Sequence, residues 1–300
     1  MNAVRAVLGP GRWHFQHGPI DLVIGAAGRA DAVAESLEHA WARFAGVLAE
    51  LVAELPRLRA PLDASRCALQ GPIARRMWAA CAPFAPQFVT PMAAVAGSVA
   101  QEIAHSFERD GVERAWINNG GDIALRLAPG ASVRVAVCTD PSAPAAERTG
   151  VDPRERFGAG ESVESPTRAA ELDHVIVDAA GPVRGVATSG WRGRSFSLGI
   201  ADAVTVLAPT AAQADAAATM IANAVDCDDP AIRRRPASSL KDDSDLGERL
   251  VTVEVGTLAD RSVARALERG EAYACDLVSR GLAVSVLLSL QGRSRIVGNP

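Results

Sequence analysis

Between Arg109 and Val112 the spacing of the apolar residues changes, and that change restricts the possible folds more than any other feature of the chain. Upstream, Val33, Leu37, Trp41, Phe44, Leu48 and Leu51 recur at three- and four-residue intervals, which marks an amphipathic helix over about 31–55, ended by Pro56. Thr90-Pro91 then supplies an N-cap and a first-turn proline for a second helix to about Arg109, with Val95, Val99, Ile103 and Phe107 on one stripe. Beside that stripe Ala96, Gly97 and Ala100 make a face almost without side chains, so a neighbour must pack very close to it. From Val112 onward alternation takes over: Ala115 and Ile117, then Ile123, Leu125 and Leu127, a turn at Pro129-Gly130, then Val133, Val135 and Val137. Helices followed by alternating strands do not make a regularly alternating parallel sheet. The expected class is α+β, with two halves of antiparallel sheet packed with helices in a single domain over 1–300.

The remainder fits this scheme. A strand is expected at 20–25 and others near 174–177, 183–186 and 202–207. Thr210 and Gln213 form a T-x-x-Q capping box ahead of an alanine-rich helix to about Val225. A strand at 251–255, a helix near 261–281 and a last strand at 283–290 close the chain. Two stretches show no period: 141–167 is expected as a mobile loop, and 227–248, with charges of both signs, as a polar linker before the C-terminal part.

Composition removes several functions. The 31 basic and 35 acidic residues leave a net charge of −4, so no strong field would gather nucleic acid or anionic lipid. The longest apolar stretch, 281–288, is too short to span a bilayer. The five cysteines are odd in number, widely spaced and contain no C-x-x-C pair, which suggests neither a disulfide framework nor a zinc site and points to a reducing, cytoplasmic compartment. Lys241 is the only lysine, and it stands in a polar stretch, so Schiff-base or phosphate-loop lysine chemistry is not expected. No G-x-G-x-x-G, P-loop or G-x-S-x-G element is present.

Three short segments carry polar groups that could do chemistry. Asn118-Asn119-Gly120-Gly121-Asp122 reads first as a tight turn, since Asn-Gly and Gly-Gly supply the positive φ angles that turns need. Its second reading is a place where a ligand meets bare backbone, with Asn118 and Asp122 for polar contacts. Ala187-Thr188-Ser189-Gly190, followed by Trp191, is either a polar turn or a set of two hydroxyls and several N–H groups for an anionic ligand. Asp215 and Thr219 lie four apart on the capped helix and so share a face; both are hard oxygen donors of the kind Mg2+ accepts. The plain alternative is a solvent-facing Asp215 near a helix start. Asp215 lies beyond the first turn, however, where the helix dipole gives little, and the face around it is alanine.

In this order the three segments resemble the ApbE-like superfamily, whose best-known members are Mg2+-dependent FAD:protein FMN transferases. The likeness runs through N-x-G-G-D-[IL] at 118–123, A-T-S-G at 187–190 and V-T-V-x-A-P-T-x-x-x-A-D-x-x-A-T at 204–219. A closer likeness, to one branch of that superfamily, adds Thr90-Pro91-Met92-Ala93-Ala94-Val95-Ala96-Gly97, the run 193–203 and Asp245-Leu246-Gly247. The resemblance implies a flavin dinucleotide site between the two halves. Asp215 and Thr219 would hold Mg2+ against the pyrophosphate, and Asn118, Gly120, Gly121, Asp122, Thr188, Ser189 and Gly190 would accept the rest of the FAD or FMN. Where the transferases carry H-x-[IL]-D-P-x-T-G, this chain has Ser197-Leu198-Gly199-Ile200-Ala201-Asp202; Asp202 keeps the acid as a catalytic candidate, and the histidine is gone. Besides FMN transfer to a flavin-acceptor or redox partner protein, two alternatives therefore stand: a non-catalytic cofactor-binding or accessory protein of the same fold, or an enzyme acting on another small metabolite in the same cleft. A homodimer is compatible with each.

Overall fold

In a computed structural model that describes residues 2–137 and 173–299, one antiparallel sheet of nine strands runs through both halves of the chain. Its strands in spatial order are β1 (Val4–Gly9), β2 (Arg12–His17), β3 (Ile20–Gly28), β4 (Val112–Asn119), β5 (Asp122–Leu127), β8 (Gly185–Ser189), β9 (Ala203–Ala208), β12 (Ser285–Leu290) and β13 (Arg293–Gly298). Among the described residues two further ribbons are present, β6 (Ser132–Val137) with β7 (Asp173–Asp178) and β10 (Ile232–Pro236) with β11 (Leu250–Val255). The helices are α1 (Ala30–Ala53), α2 (Leu55–Leu58), α3 (Pro72–Cys81), α4 (Val95–Ala104), α5 (Ala211–Ala224) and α6 (Asp260–Ser279). The α+β class with antiparallel sheet is as expected, and the two halves share a single sheet.

Four helices lie along the sheet in the order of the strands they contact: α1 on β2 and β3, α4 on β4 and β5, α5 on β8 and β9, α6 on β12 and β13. The period-two alternation sorts side chains between this helix layer and a second core beyond the sheet. In β5, Ala124 belongs to the helix-side core, whereas Ile123, Leu125 and Leu127 join Val133, Val135 and Val177 of the β6–β7 ribbon. Among the described residues no helix is long and apolar enough to cross a membrane.

The bare face of α4 meets α5, as its small residues require. A Cβ on Gly97 would stand 2.2 Å from the Ala211 carbonyl oxygen, so only glycine permits this separation of the two helices. The N-cap half of the capping box is realised, with the Gln213 N–H donating to Thr210 Oγ1 at 3.2 Å, while Gln213 Oε1 accepts the Thr210 hydroxyl at 3.1 Å.

Several elements differ from the sequence expectation. The helix expected from Thr90 opens as a 3-10 turn, Pro91–Ala94, and the Thr90 hydroxyl caps nothing; it donates to Asp245 at 2.5 Å. The hairpin β1–β2 was concealed because β1 is exposed along almost its whole length and shows no apolar alternation. Within the stretch expected as a polar linker, Arg233, Arg234 and Arg235 lie on β10, paired with β11. The expected mobile loop, 141–167, lies outside the described residues.

The helix α3, also unexpected, takes its N-terminal acceptors from another element. The Gln70 and Gly71 N–H groups donate to the buried Glu54 carboxylate at 2.8 and 2.7 Å, and Ile73 N–H to Glu50 at 3.3 Å. Pro72, at the start of α3, has no N–H to satisfy. Glu54→Ala leaves two amides without an acceptor and is expected to destabilise the protein by about 1–3 kcal/mol, read as a lower urea midpoint at constant slope. An unchanged midpoint would mean that water replaces the carboxylate without cost.

Candidate functional site

On the helix side of the sheet lies a cavity of about 290 Å³ into which α4, α5, β5, the end of β8 and the 241–246 loop all contribute. Of the segments singled out above, Asp122, Ser189, Asp215 and Thr219 line it, while Asn118, Gly120 and Gly121 shape the turn beside it. The Asn118 side chain closes the β4–β5 turn by accepting the Gly121 N–H at 2.8 Å, and Gly120 and Gly121 hold φ of 67° and 117°, a region that favours glycine. That turn delivers Asp122 as the first residue of β5, on the same side as Ala124 and therefore toward the helices. Asn119 donates to the Ala96 carbonyl oxygen at 3.1 Å and ties the turn to the start of α4.

Asp215 approaches from the opposite wall. Ala214, Ala216, Ala217 and Ala218 are buried, so α5 lies flush against α4 and the sheet. Asp215 Oδ2 then accepts the Gly97 N–H at 2.9 Å. Thr219, one turn further along α5, lines the same cavity, as does Ser189.

The two carboxylates are strongly perturbed. Burial pushes Asp122 up to about 7, against the Thr188 N–H that favours its charged form. Asp215 is raised well above the usual carboxylate range, first by burial and then by the charge of Asp122, opposed by the N–H groups of Gly97 and Ala96. Burial is the first cause at both acids, and at Asp215 the like charge of Asp122 adds a repulsion. A cation between them would remove it.

Other candidates do not converge on the cavity. Thr188 falls on the far side of β8, where its Oγ1 lies 2.9 Å from Thr205 Oγ1; only its backbone serves Asp122. Gly190 is required by packing, since a Cβ there would stand 2.4 Å from the Asp202 carbonyl oxygen. Asp202 does not line the cavity. Its Oδ1 accepts Trp191 Nε1–H at 3.1 Å, its Oδ2 accepts the Gln291 N–H at 2.6 Å, and Arg192 lies at 3.7 Å, so the acid joins the 190s segment to the β12–β13 turn.

Residues outside the three polar segments also line the cavity: Arg59, Phe88, Arg194, Phe196, Asn223, Lys241, Asp243 and Asp245. Asn223 on α5 positions the 197–198 backbone, its Oδ1 accepting the Leu198 N–H at 2.9 Å. Arg249 stacks on Phe88 with its guanidinium carbon 3.2 Å from the ring centroid. For Arg194 and Asp245 a signal existed, because both lie in segments shared with the closer branch; for Arg59 and Phe88 there was none.

Among the described residues no group of three or more His, Cys, Asp and Glu side chains could hold a metal alone. The donor set here, Asp122, Asp215 and the Thr219 hydroxyl, consists of hard oxygens and is short of a full shell. It fits Mg2+, which keeps water or phosphate oxygens as further ligands.

The fold and the site thus define an α+β protein with a cavity on the helix side of one antiparallel sheet, lined by acids and by cations. A family model described as AbpE bacteria matches residues 5–296, and the chain belongs to that family. It is 34% identical over 184 residues to a UPF0280 protein of Methanopyrus kandleri, covering 60% of this chain and 61% of that one. A UPF0280 protein of Methanocella arvoryzae is 31% identical over 185 residues, 61% and 63% of the two chains, and one of Methanococcus vannielii 36% over 148 residues, 49% and 50%. The aligned part spans about half to three fifths of these relatives.

Proposed function

We propose that this protein binds a flavin nucleotide, or a ligand with the same phosphate-bearing chemistry, together with Mg2+ held by Asp122, Asp215 and Thr219. The observation that carries the reading is the carboxylate pair, two mutually repelling acids sharing one cavity with a hydroxyl. Phe88 and Phe196 offer apolar ring faces for a planar heterocycle. The volume is at the small end for cofactor pockets, so part of a dinucleotide would extend through the mouth. When bound, Mg2+ supplies neutralisation of phosphate charge. The N–H groups of Gly97 and Thr188 keep the two carboxylates oriented to receive it. Calorimetric titration with FAD, with and without Mg2+, tests the proposal: metal-dependent binding supports it, and no binding in either case removes it.

A second reading is binding without transfer. It is favoured by the engagement of Asp202 elsewhere and by a cavity lining that, among the described residues, holds no histidine.

Protons and Mg2+ compete for the same oxygens, so the acid shifts set a pH dependence. Asp122 is protonated below about 7, and Asp215 also takes up its proton well above the usual range. The affinity for Mg2+ is therefore expected to rise with pH, by about tenfold from pH 6 to pH 8. A flat profile across that range would argue against the pair as ligands.

A further inference from the structure

We propose that the mouth of the cavity is a separate anion subsite, made by Arg194, Lys241 and Arg59, that takes the phosphate oxygens of a Mg2+-bound diphosphate ester. The proposal rests on the ligand class argued above and adds the residues that would select for it. The three cations come from unrelated parts of the chain and meet only in the fold. Arg59 follows α2, Arg194 lies between β8 and β9, and Lys241 belongs to the loop between β10 and β11. Beside the acids Asp122 and Asp215 the same cavity is lined by these three cations and by Asp243 and Asp245, so positive groups for phosphate oxygens stand next to acids for its metal ion.

The rim is held in place. The loop from Ala237 is closed at its base, with the Ala237 N–H donating to the Arg249 carbonyl at 2.9 Å and the Ser238 N–H to that of Gly247 at 2.8 Å. Thr90 fastens it to the protein through Asp245, and Arg59 through Asp243 at 2.8 Å. Lys241 Nζ lies 3.7 Å from the same Asp243 carboxylate, with 62% of its side chain exposed. Two carboxylates, Asp243 and Asp245, stand against the two cations Arg59 and Lys241, so the positive charge in excess there comes from Arg194. Its Nη1 lies 3.0 Å from the position of a Cβ on Gly120, directly over the turn that presents Asp122. A guanidinium there can bind phosphate with two parallel N–H groups, while the flexible ammonium of Lys241 supplies a point charge.

Because Lys241 is the only lysine, its reactivity can be read without ambiguity in the full chain. Acylation by the N-hydroxysuccinimide ester of acetic acid, followed by peptide mass spectrometry, is expected to slow about tenfold when Mg2+ and pyrophosphate, or Mg2+ and ADP, are added, and to be unaffected by Mg2+ alone. Protection by ADP but not by pyrophosphate would mean steric cover rather than phosphate contact and would overturn the proposal. If FAD or ADP binds calorimetrically while acylation is unchanged, the subsite is wrong and the functional reading stands; if nothing binds, both fall. Lys241→Met and Arg194→Met are each expected to weaken Mg2+–pyrophosphate binding about tenfold, with Lys241→Arg restoring it. Wild-type affinity in both methionine variants would overturn the proposal.

Discussion

Asp215→Asn is expected to reduce Mg2+-dependent FAD binding by two or more orders of magnitude while raising the stability of the metal-free protein. The two effects have one cause. In the folded state the Asp215 carboxyl titrates well above its usual range, because burial and the Asp122 charge oppose ionisation. In the unfolded chain it ionises at ordinary carboxylate pH. Stability from such a group is fully present below the unfolded value and is lost as pH rises through the folded one. At neutral and higher pH the wild-type protein therefore carries an unfavourable charge that asparagine does not. Asparagine also keeps an oxygen for the Gly97 N–H. The gain should grow from pH 6 to pH 9 in urea denaturation. A variant that lost both binding and stability would show that Asp215 is a structural acid, and the metal assignment would fail.

Gly97→Ala is expected to destabilise the protein and to disturb the cavity with it. The new Cβ would meet Ala211 backbone atoms at 2.2 and 2.7 Å and Asp215 Cβ at 2.9 Å. Relief requires α4 and α5 to separate, which lengthens the Gly97 to Asp215 hydrogen bond and widens the cavity floor. The cost is about 2–4 kcal/mol after the better helix propensity of alanine is counted, a fall of about 5–10 °C in Tm, accompanied by weaker Mg2+ binding. Gly46 supplies the control. It lies in α1 with open space around its Cβ position and an ordinary φ, so Gly46→Ala should stabilise by about 0.5–1 kcal/mol. Equal responses at the two glycines would contradict the close-packing argument.

The site was legible where its chemistry was local. A strand, a cap and two oxygen donors in one register between Val204 and Thr219 could be read directly, because a helix places positions four apart on one face whatever surrounds it. The Asn118–Asp122 turn could be read for the same reason, though not its purpose of turning Asp122 toward the helices. Thr188 and Asp202 show the limit. Each has the right residue type, but the face of β8 turns the Thr188 hydroxyl away from the cavity and the Asp202 acid is engaged by Trp191 and Gln291.

By itself, then, the sequence determined the α+β class, the order of the main helices and strands, and the local geometry of each polar segment, since period, cap and turn depend on residues only a few positions apart. Tertiary structure alone decided which of those segments face one another. Asp122 and Asp215 are 93 positions apart, and the charge of the first reaches the second only where Gly97 lets α4 and α5 touch. Lys241, set aside as one cation in a polar stretch, reaches the same cavity because Thr90 and Arg59 anchor its loop. Contacts of such long range depend on packing distances, which no local pattern in the chain encodes.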